Sequence, residues 1–258
     1  MRRDNIFWGG VLIVAGVLFL LQTQNIIPSI WPYLWPMALV LFGVWLIVSV
    51  YWRSGEGETF SIPLDDAKSV KYKFAHGAGQ IEIKGGAPMG QAMTGLAADA
   101  VNKKSYRDGD RLSVSVEAGA SFIPFIGPSG GVFRFQLSND TPSFIRVETG
   151  ASQLDMDLTD VPASEITLQT GASNSNVTLP ARGASHLDLE AGAAAVNIRI
   201  PDGVAARVRI KEGLTSLSID RTRFPQIDSR LYQSADYDSA ENRAELNIET
   251  GVGSITIK

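Results

Sequence analysis

The sequence predicts a membrane-inserted α-helical hairpin followed by an all-β domain, a β-solenoid-like repeat of about 21 residues per rung. Three observations carry this. No residue from Ile6 through Trp52 is charged, in a 258-residue chain where 19% of residues are charged. Beyond that stretch, apolar and polar residues alternate, the period of strands with one face buried. Within these alternating runs a glycine returns at a fixed spacing, the mark of a repeat architecture.

The uncharged stretch comes first. A spanning helix needs roughly 20 apolar residues. The 47 residues from Ile6 to Trp52 would extend about 70 Å as one helix, more than twice a hydrocarbon core of about 30 Å. Two spans are therefore expected, at about 6–22 and 33–51, making residues 1–53 a helical hairpin. The polar Gln22–Asn25 and the prolines Pro28, Pro32 and Pro36 supply the break. All five tryptophans lie here. Trp8, Trp31, Trp35 and Trp52 sit where interface anchors belong. Gly9, Gly10 and Gly16 would let the spans approach closely. A cleaved signal peptide is the competing reading. Against it, no small-x-small cleavage site follows the first apolar run and a second such run follows at once. Arg2 and Arg3 precede the first span, Arg53 follows the second, and the turn is uncharged. The positive-inside rule then places both termini and the β domain in the cytoplasm, in a two-pass cell-membrane protein; the alternative is an extracytoplasmic β domain.

Residues 54–68 read as a linker and first strand, and 69–258 as the repetitive all-β domain. Four copies of one phrase are IRVETGASQLDMDL, ITLQTGASNSNVTL, LDLEAGAAAVNIRI and VRIKEGLTSLSIDR. They place Gly150, Gly171, Gly192 and Gly213 at equal intervals of about 21 residues, within the range of repeat units. Further copies surround Gly77, Gly119 and Gly251. Gly77 and Gly119 stand two such intervals apart, which predicts a degraded rung between them. The gaps from Gly119 to Gly150 and from Gly213 to Gly251 are wider than one interval, which predicts insertions near 127–143 and 222–243. Aligned on the glycine, Ile145, Ile166, Leu187 and Val208 occupy one position. Val147, Leu168, Leu189 and Ile210 occupy a second, and Met156, Val177, Ile198 and Ile219 a third. Polar residues separate them, so one face of each strand is buried, at roughly 1.5–3 kcal/mol per aliphatic side chain. A single unit cannot close its core, but stacked units can. The glycine marks a corner between two strands, where it would allow unusual backbone angles or close approach. The small residue after it (Ala120, Ala151, Ala172, Ala193) is expected inside that corner. A parallel solenoid, each rung on the one before, fits the constant phase; a β-sandwich of successive hairpins is the alternative. The last copy ends at Lys258, so its rung is internal, capped by an insertion, or a pairing surface.

The residues argue against most chemistry. The chain has no cysteine, which removes disulfides, thiolate nucleophiles and Cys-based metal sites. Residues 1–53 carry a net charge of +2, which leaves −6 on the rest. Nucleic acid needs a basic face, so it is not an expected partner. His76 and His186 lack any metal-binding spacing and read as solvent-facing structural residues. Asp155, Asp157 and Asp160 suggest calcium, but the first two are outward positions of a strand. The stretch Gly127–Gly131 lacks the lysine and spacing of a phosphate loop. Ser121, Ser152 and Ser173 would stack as a ladder with no histidine beside them. Tyr232 and Tyr237 lie in a polar insertion that reads as a binding loop or a cap. No catalytic, cofactor or metal residue is expected, and the chain reads as not an enzyme.

The segment RRDNIFWGGVLIVAGVLFLLQTQNII, with WPYLWPMALVLFGVWLIV after it, resembles the transmembrane region of bacterial LiaI and LiaF-like proteins. The β region resembles the bacterial adhesin-type, or toast-rack, β domains, in GAGQIEIK, in Asp108–Val114 (DGDRLSV) and in the terminal GVGSITI. These resemblances imply a non-enzymatic, membrane-anchored bacterial envelope protein, a regulator or sensor of envelope stress. Its implied partners are the lipid bilayer and a membrane or envelope signalling protein. The alternative is an adhesin-like scaffold that self-associates.

Overall fold

The computed structural model describes residues 16, 20, 35–36, 39–40, 43, 58–97, 101–118 and 132–258. The chain divides into two units, Met1–Gly55 and Glu56–Lys258. In the first, Gly16, Leu20, Trp35, Pro36, Leu39, Val40 and Gly43 are helical. The rest of the expected spans 6–22 and 33–51, with Trp8, Trp31 and Trp52, lies outside the described residues. Among the described residues no helix is long and apolar enough to cross a membrane.

The second unit is β throughout its described residues. Its strands are β1 (Glu58–Pro63), β2 (Ser69–Gly85), β3 (Gln91–Ala97), β4 (Val101–Asp108), β5 (Arg111–Ala118), β6 (Val132–Leu137) and β7 (Ser143–Asp157). They continue with β8 (Ala163–Thr178), β9 (Ala184–Arg199), β10 (Ala205–Ile219), β11 (Gln226–Asp228), β12 (Leu231–Gln233) and β13 (Arg243–Ile257). Six of these, β2, β7, β8, β9, β10 and β13, are 15–17 residues long and contain a repeat glycine near their middle. They pair parallel in the order β2-β7-β8-β9-β13-β10. Successive hairpins would have paired antiparallel.

The inward side chains line up across the strands. One row runs Val114, Tyr72, Ile145, Ile166, Leu187, Leu246, Val208. Another runs Phe135, Ile83, Met156, Val177, Ile198, Ile257, Ile219. All of these are buried except Ile219, which is half-buried at the end of its row. Within one strand the inward set changes parity at the glycine. In β7, Ile145, Val147 and Thr149 face in before it, and Ser152, Leu154 and Met156 after it, because Gly150 and Ala151 both face out. The two halves of each strand thus form two walls. They share one interior: Phe74, from a first half, lies 4.9 Å from Phe135, from a second half. The Tyr72 hydroxyl donates to the carbonyl of Ala92 across the same space at 2.5 Å.

Several expectations need correction. Copies do not all stack in chain order. Equivalent residues of successive copies are neighbours from β7 through β9, but β13 enters between β9 and β10. The opposite end shows the same device. There β5 and β6 pair with the two halves of β2 on the side away from β7, so the first copy in sequence is second in the stack. The terminal rung of the chain is therefore internal. Among the described residues, no degraded rung separates Gly77 from Gly119. That interval holds β3 and β4, which pair antiparallel with β6 and β5. Ala151, Ala172 and Ala193 are exposed outside the corner, because the parity change turns two consecutive residues outward.

The 222–243 insertion is a partial cap. Phe224 is fully buried, and β12 pairs antiparallel with Arg207–Arg209 of β10. Arg207 bonds Gln233 at 2.7 Å and Asp238 at 2.9 Å and lies over the ring of Tyr237. Tyr232 and Tyr237 are buried in this cap. Asn242 then leads the chain back: its carbonyl accepts from Ala205 N–H and its side-chain oxygen from Gly183 N–H.

Candidate interaction surface

The repeat glycines stand in a column at the corner between the two walls. A Cβ on Gly150 would lie 2.5 Å from the carbonyl oxygen of Gly77, and one on Gly171 would lie 2.9 Å from that of Gly150. Gly192 meets Gly171 in the same way, Gly251 meets Gly192, and Gly213 meets Gly251 at 2.5–2.9 Å. The column reproduces the swapped order of the strands. Close approach is what it requires: none of these six glycines has a positive φ. Gly77, first in the described column, has nothing among the described residues within 4 Å of where a Cβ would point. Gly119 lies outside the described residues. Gly253 differs in kind, as does Gly79 at the same position of its copy, whose φ is +138°. The φ of Gly253 is +143°, and a Cβ there would overlap the carbonyl of Ala194. The second glycine of GVGSITIK was its only sequence signal.

Inside the corner runs a ladder of hydroxyls. Thr170 and Ser173 are 2.6 Å apart, Ser175 donates to Ser173 at 3.2 Å, and Thr215 and Thr250 are 3.0 Å apart. Ser152 pairs with Ser173 across the strands and is buried, so this ladder faces the core. His76 also departs from expectation. Its ring packs against Phe133 at 4.4 Å beside a cavity of about 10 Å³ lined by Phe74, Val116 and Phe135. That is room for about one water. His186 does sit on the outer face, 3.1 Å from Asp188 and 3.3 Å from Asn247.

The outer faces are broad ladders of polar side chains. On the first wall, Lys73 and Arg146 both pair with Glu148, Arg146 reaches Gln169 at 3.0 Å, and Gln169 reaches Glu190 at 2.9 Å. On the second wall, Asp155 stands beside Asn176, which accepts from Asn197 at 3.0 Å. Among the described residues no group of three His, Cys, Asp or Glu is placed to hold a metal ion. The hydrogen bond from Arg146 holds the Glu148 carboxyl below its ordinary value of 4.5, burial opposes this, and Lys73 adds to it. A lowered folded-state pKa contributes stability that is fully present above the unfolded value and lost as pH falls through the folded one. The Glu148→Gln variant should therefore be less stable than the parent at pH 7 by under about 1 kcal/mol, the range of exposed pairs. The two should converge once pH is below the lowered pKa, as read from thermal midpoints across pH.

Residues 53–199, more than half of the chain, match the family described as the N-terminal domain of toast_rack, DUF2154. The chain belongs to the toast-rack family. Residues 6–47 of this toast-rack chain match the LiaI-LiaF-like transmembrane region, which implies a membrane-associated envelope protein. No curated protein matches it. A solved structure of a candidate cell adhesion protein from Clostridium sporogenes superposes with a TM-score of 0.69, covering 79% of this chain and 98% of its own, at 16% identity. At that identity the likeness shows the fold. A candidate adhesin from Bacteroides fragilis covers 78% of this chain and 95% of its own at 9% identity, with a TM-score of 0.26, too low to indicate a shared fold.

Proposed function

We propose that this chain is a non-enzymatic, membrane-anchored regulator or sensor of envelope stress that acts through protein contacts made by its β domain. The observation that carries the reading is the pairing, in one chain, of a LiaI-LiaF-like transmembrane region with a stack of strands that presents broad polar walls. The domain is a solenoid-like stack with one repeat of the sequence per regular rung, since Ile145, Ile166 and Leu187 sit side by side. Two helical spans hold it, and the three arginines that flank them favour a cytoplasmic β domain. Trp8, Trp31, Trp35 and Trp52 anchor the spans at the interfaces.

The second reading, an adhesin-like scaffold, is favoured by the fold shared with the Clostridium sporogenes protein. Orientation separates the two. The chain lacks cysteine, so single probes are clean. An impermeant thiol reagent applied to intact cells should label Ile27→Cys, in the turn, and leave Asn174→Cys, exposed on the second wall, untouched. Labelling of Asn174→Cys would favour the scaffold. The regulator reading further requires that loss of the chain shift the threshold of an envelope-stress reporter; an unchanged threshold would sink it.

A further inference from the structure

The far end of the stack is half closed. The first half of β10 is covered by β12, and its inward residues Val208 and Ile210 are 0% and 2% exposed. The second half, Leu214–Ile219, has β13 on one side and, among the described residues, no strand on the other. Its inward residues Leu217 and Ile219 are only half-buried, while their neighbours Ile255 and Ile257 on β13 are 0% and 1% exposed. Leu214 is 83% exposed and pairs with Val252, itself 54% exposed, so an apolar patch flanks the same edge.

Exposed strand edges invite pairing, and proteins blunt them with charge, proline, brevity or a cover. The other strand edges among the described residues are blunted. β4 carries Lys103, Lys104, Arg107 and Asp108, β1 ends at Pro63, and β11 is three residues long. The segment LTSLSI at 214–219 has no charge, no proline and no bulge in its pairing with β13.

We propose that Leu214–Ile219 pairs antiparallel with the same segment of a second copy of this chain. The inward positions 215, 217 and 219 share one parity, so a two-fold axis through Leu217 sets Leu217 opposite its copy and Thr215 opposite Ile219. The second walls of both copies then become one sheet, and the half-buried aliphatics become interior. An uncharged segment meets itself without like-charge repulsion. Five residues a side, Thr215–Ile219, make a small interface, below the size of stable soluble dimers. Copies held in one membrane meet at high effective concentration, which offsets this. The inference rests on the membrane-anchored reading and makes the chain its own first protein contact.

The test uses the full chain in its native membrane, with a short bis-maleimide. Ser216→Cys on the open edge should give an adduct of twice the chain mass. Asn174→Cys, on β8 in the middle of the stack, should not. Adding Ser218→Lys, an outward and exposed change, to Ser216→Cys should reduce that adduct severalfold without moving the thermal midpoint. Equal cross-linking at Ser216→Cys and Asn174→Cys, persistence of the adduct with Ser218→Lys, or an adduct with a different protein would each overturn the proposal. A stress reporter indifferent to the chain would sink the regulator reading and leave this result untouched.

Discussion

Gly253→Ala is expected to unfold or severely weaken the β domain, while Gly77→Ala is expected to leave it within about 0.5 kcal/mol of the parent. Both change one glycine to one alanine in a repeat copy, so composition cannot separate them. Packing does. The Gly253 Cβ would overlap the Ala194 carbonyl, and that carbonyl belongs to the adjacent strand, which is fixed by parallel pairing along its whole length. Relief would require the ladder to open. The positive φ adds about 1–2 kcal/mol of intrinsic strain. Overpacking alone costs about 1–3 kcal/mol, so a combined loss of about 2–5 kcal/mol is expected. Gly150→Ala should fall between the extremes: its Cβ would meet the Gly77 carbonyl at 2.5 Å, without a φ penalty. Gly77 has nothing within 4 Å among the described residues. Thermal midpoints of the three variants should therefore rank Gly77→Ala, Gly150→Ala, Gly253→Ala from highest to lowest. Equal midpoints for Gly77→Ala and Gly150→Ala would contradict the stacked glycine column.

Ending the chain after Asn242 should remove far more than one terminal rung. In a stack built in chain order, loss of the last copy would shorten the domain by its outermost unit. Here β13 lies between β9 and β10. Its removal takes Leu246, Ile248, Ile255 and Ile257 out of the core, all at most 2% exposed. It also strands β10 and the cap, whose strand pairing to the stack runs through β13 and whose other ties are side-chain bonds such as those of Arg223 to the carbonyls of Ile200 and Pro201. Losing a single core Leu or Ile side chain costs about 2–5 kcal/mol, and a whole domain is stable by only about 5–15 kcal/mol. Truncation should therefore make residues 205–242 rapidly digestible in limited proteolysis of the full membrane-bound chain. It should also expose the β9 edge, with aggregation as the consequence. A truncated chain in which 205–242 resists protease as before would show that β10 docks on β9 directly, as the regular spacing from Gly192 to Gly213 suggests.

The contrast between those two arrangements shows where sequence reasoning stopped. The inward rows were legible. Ile145, Val147, Ile166, Leu168, Leu187 and Leu189 repeat at a period of two, and a side chain's face depends only on local geometry, which the pattern encodes. The corner was legible for the same reason: glycine falls where alternation changes phase. The inward hydroxyls of Thr149, Thr170 and Thr250 show the limit, since polar residues at core-facing positions look like outward ones until the wall opposite is known. The His76 ring was misplaced for that reason, because Phe133, which it packs against, is distant along the chain.

By itself, then, the sequence determined that this chain joins an uncharged, tryptophan-bearing segment to strands of one-sided burial, and which residues those strands turn inward. Periodicity is a local property and survives without a partner. Only the tertiary structure decided who neighbours whom. The copies present nearly interchangeable rows of Val, Ile and Leu, so Ile210 packs as readily beside Ile248 as beside Leu189, and no local pattern distinguishes them. The choice falls to the long-range connections. The 222–243 excursion folds onto β10 as its cap, and the chain returns through Asn242 into the place beside β9. The interposition of β13 follows from those connections, as does the half-open β10 edge.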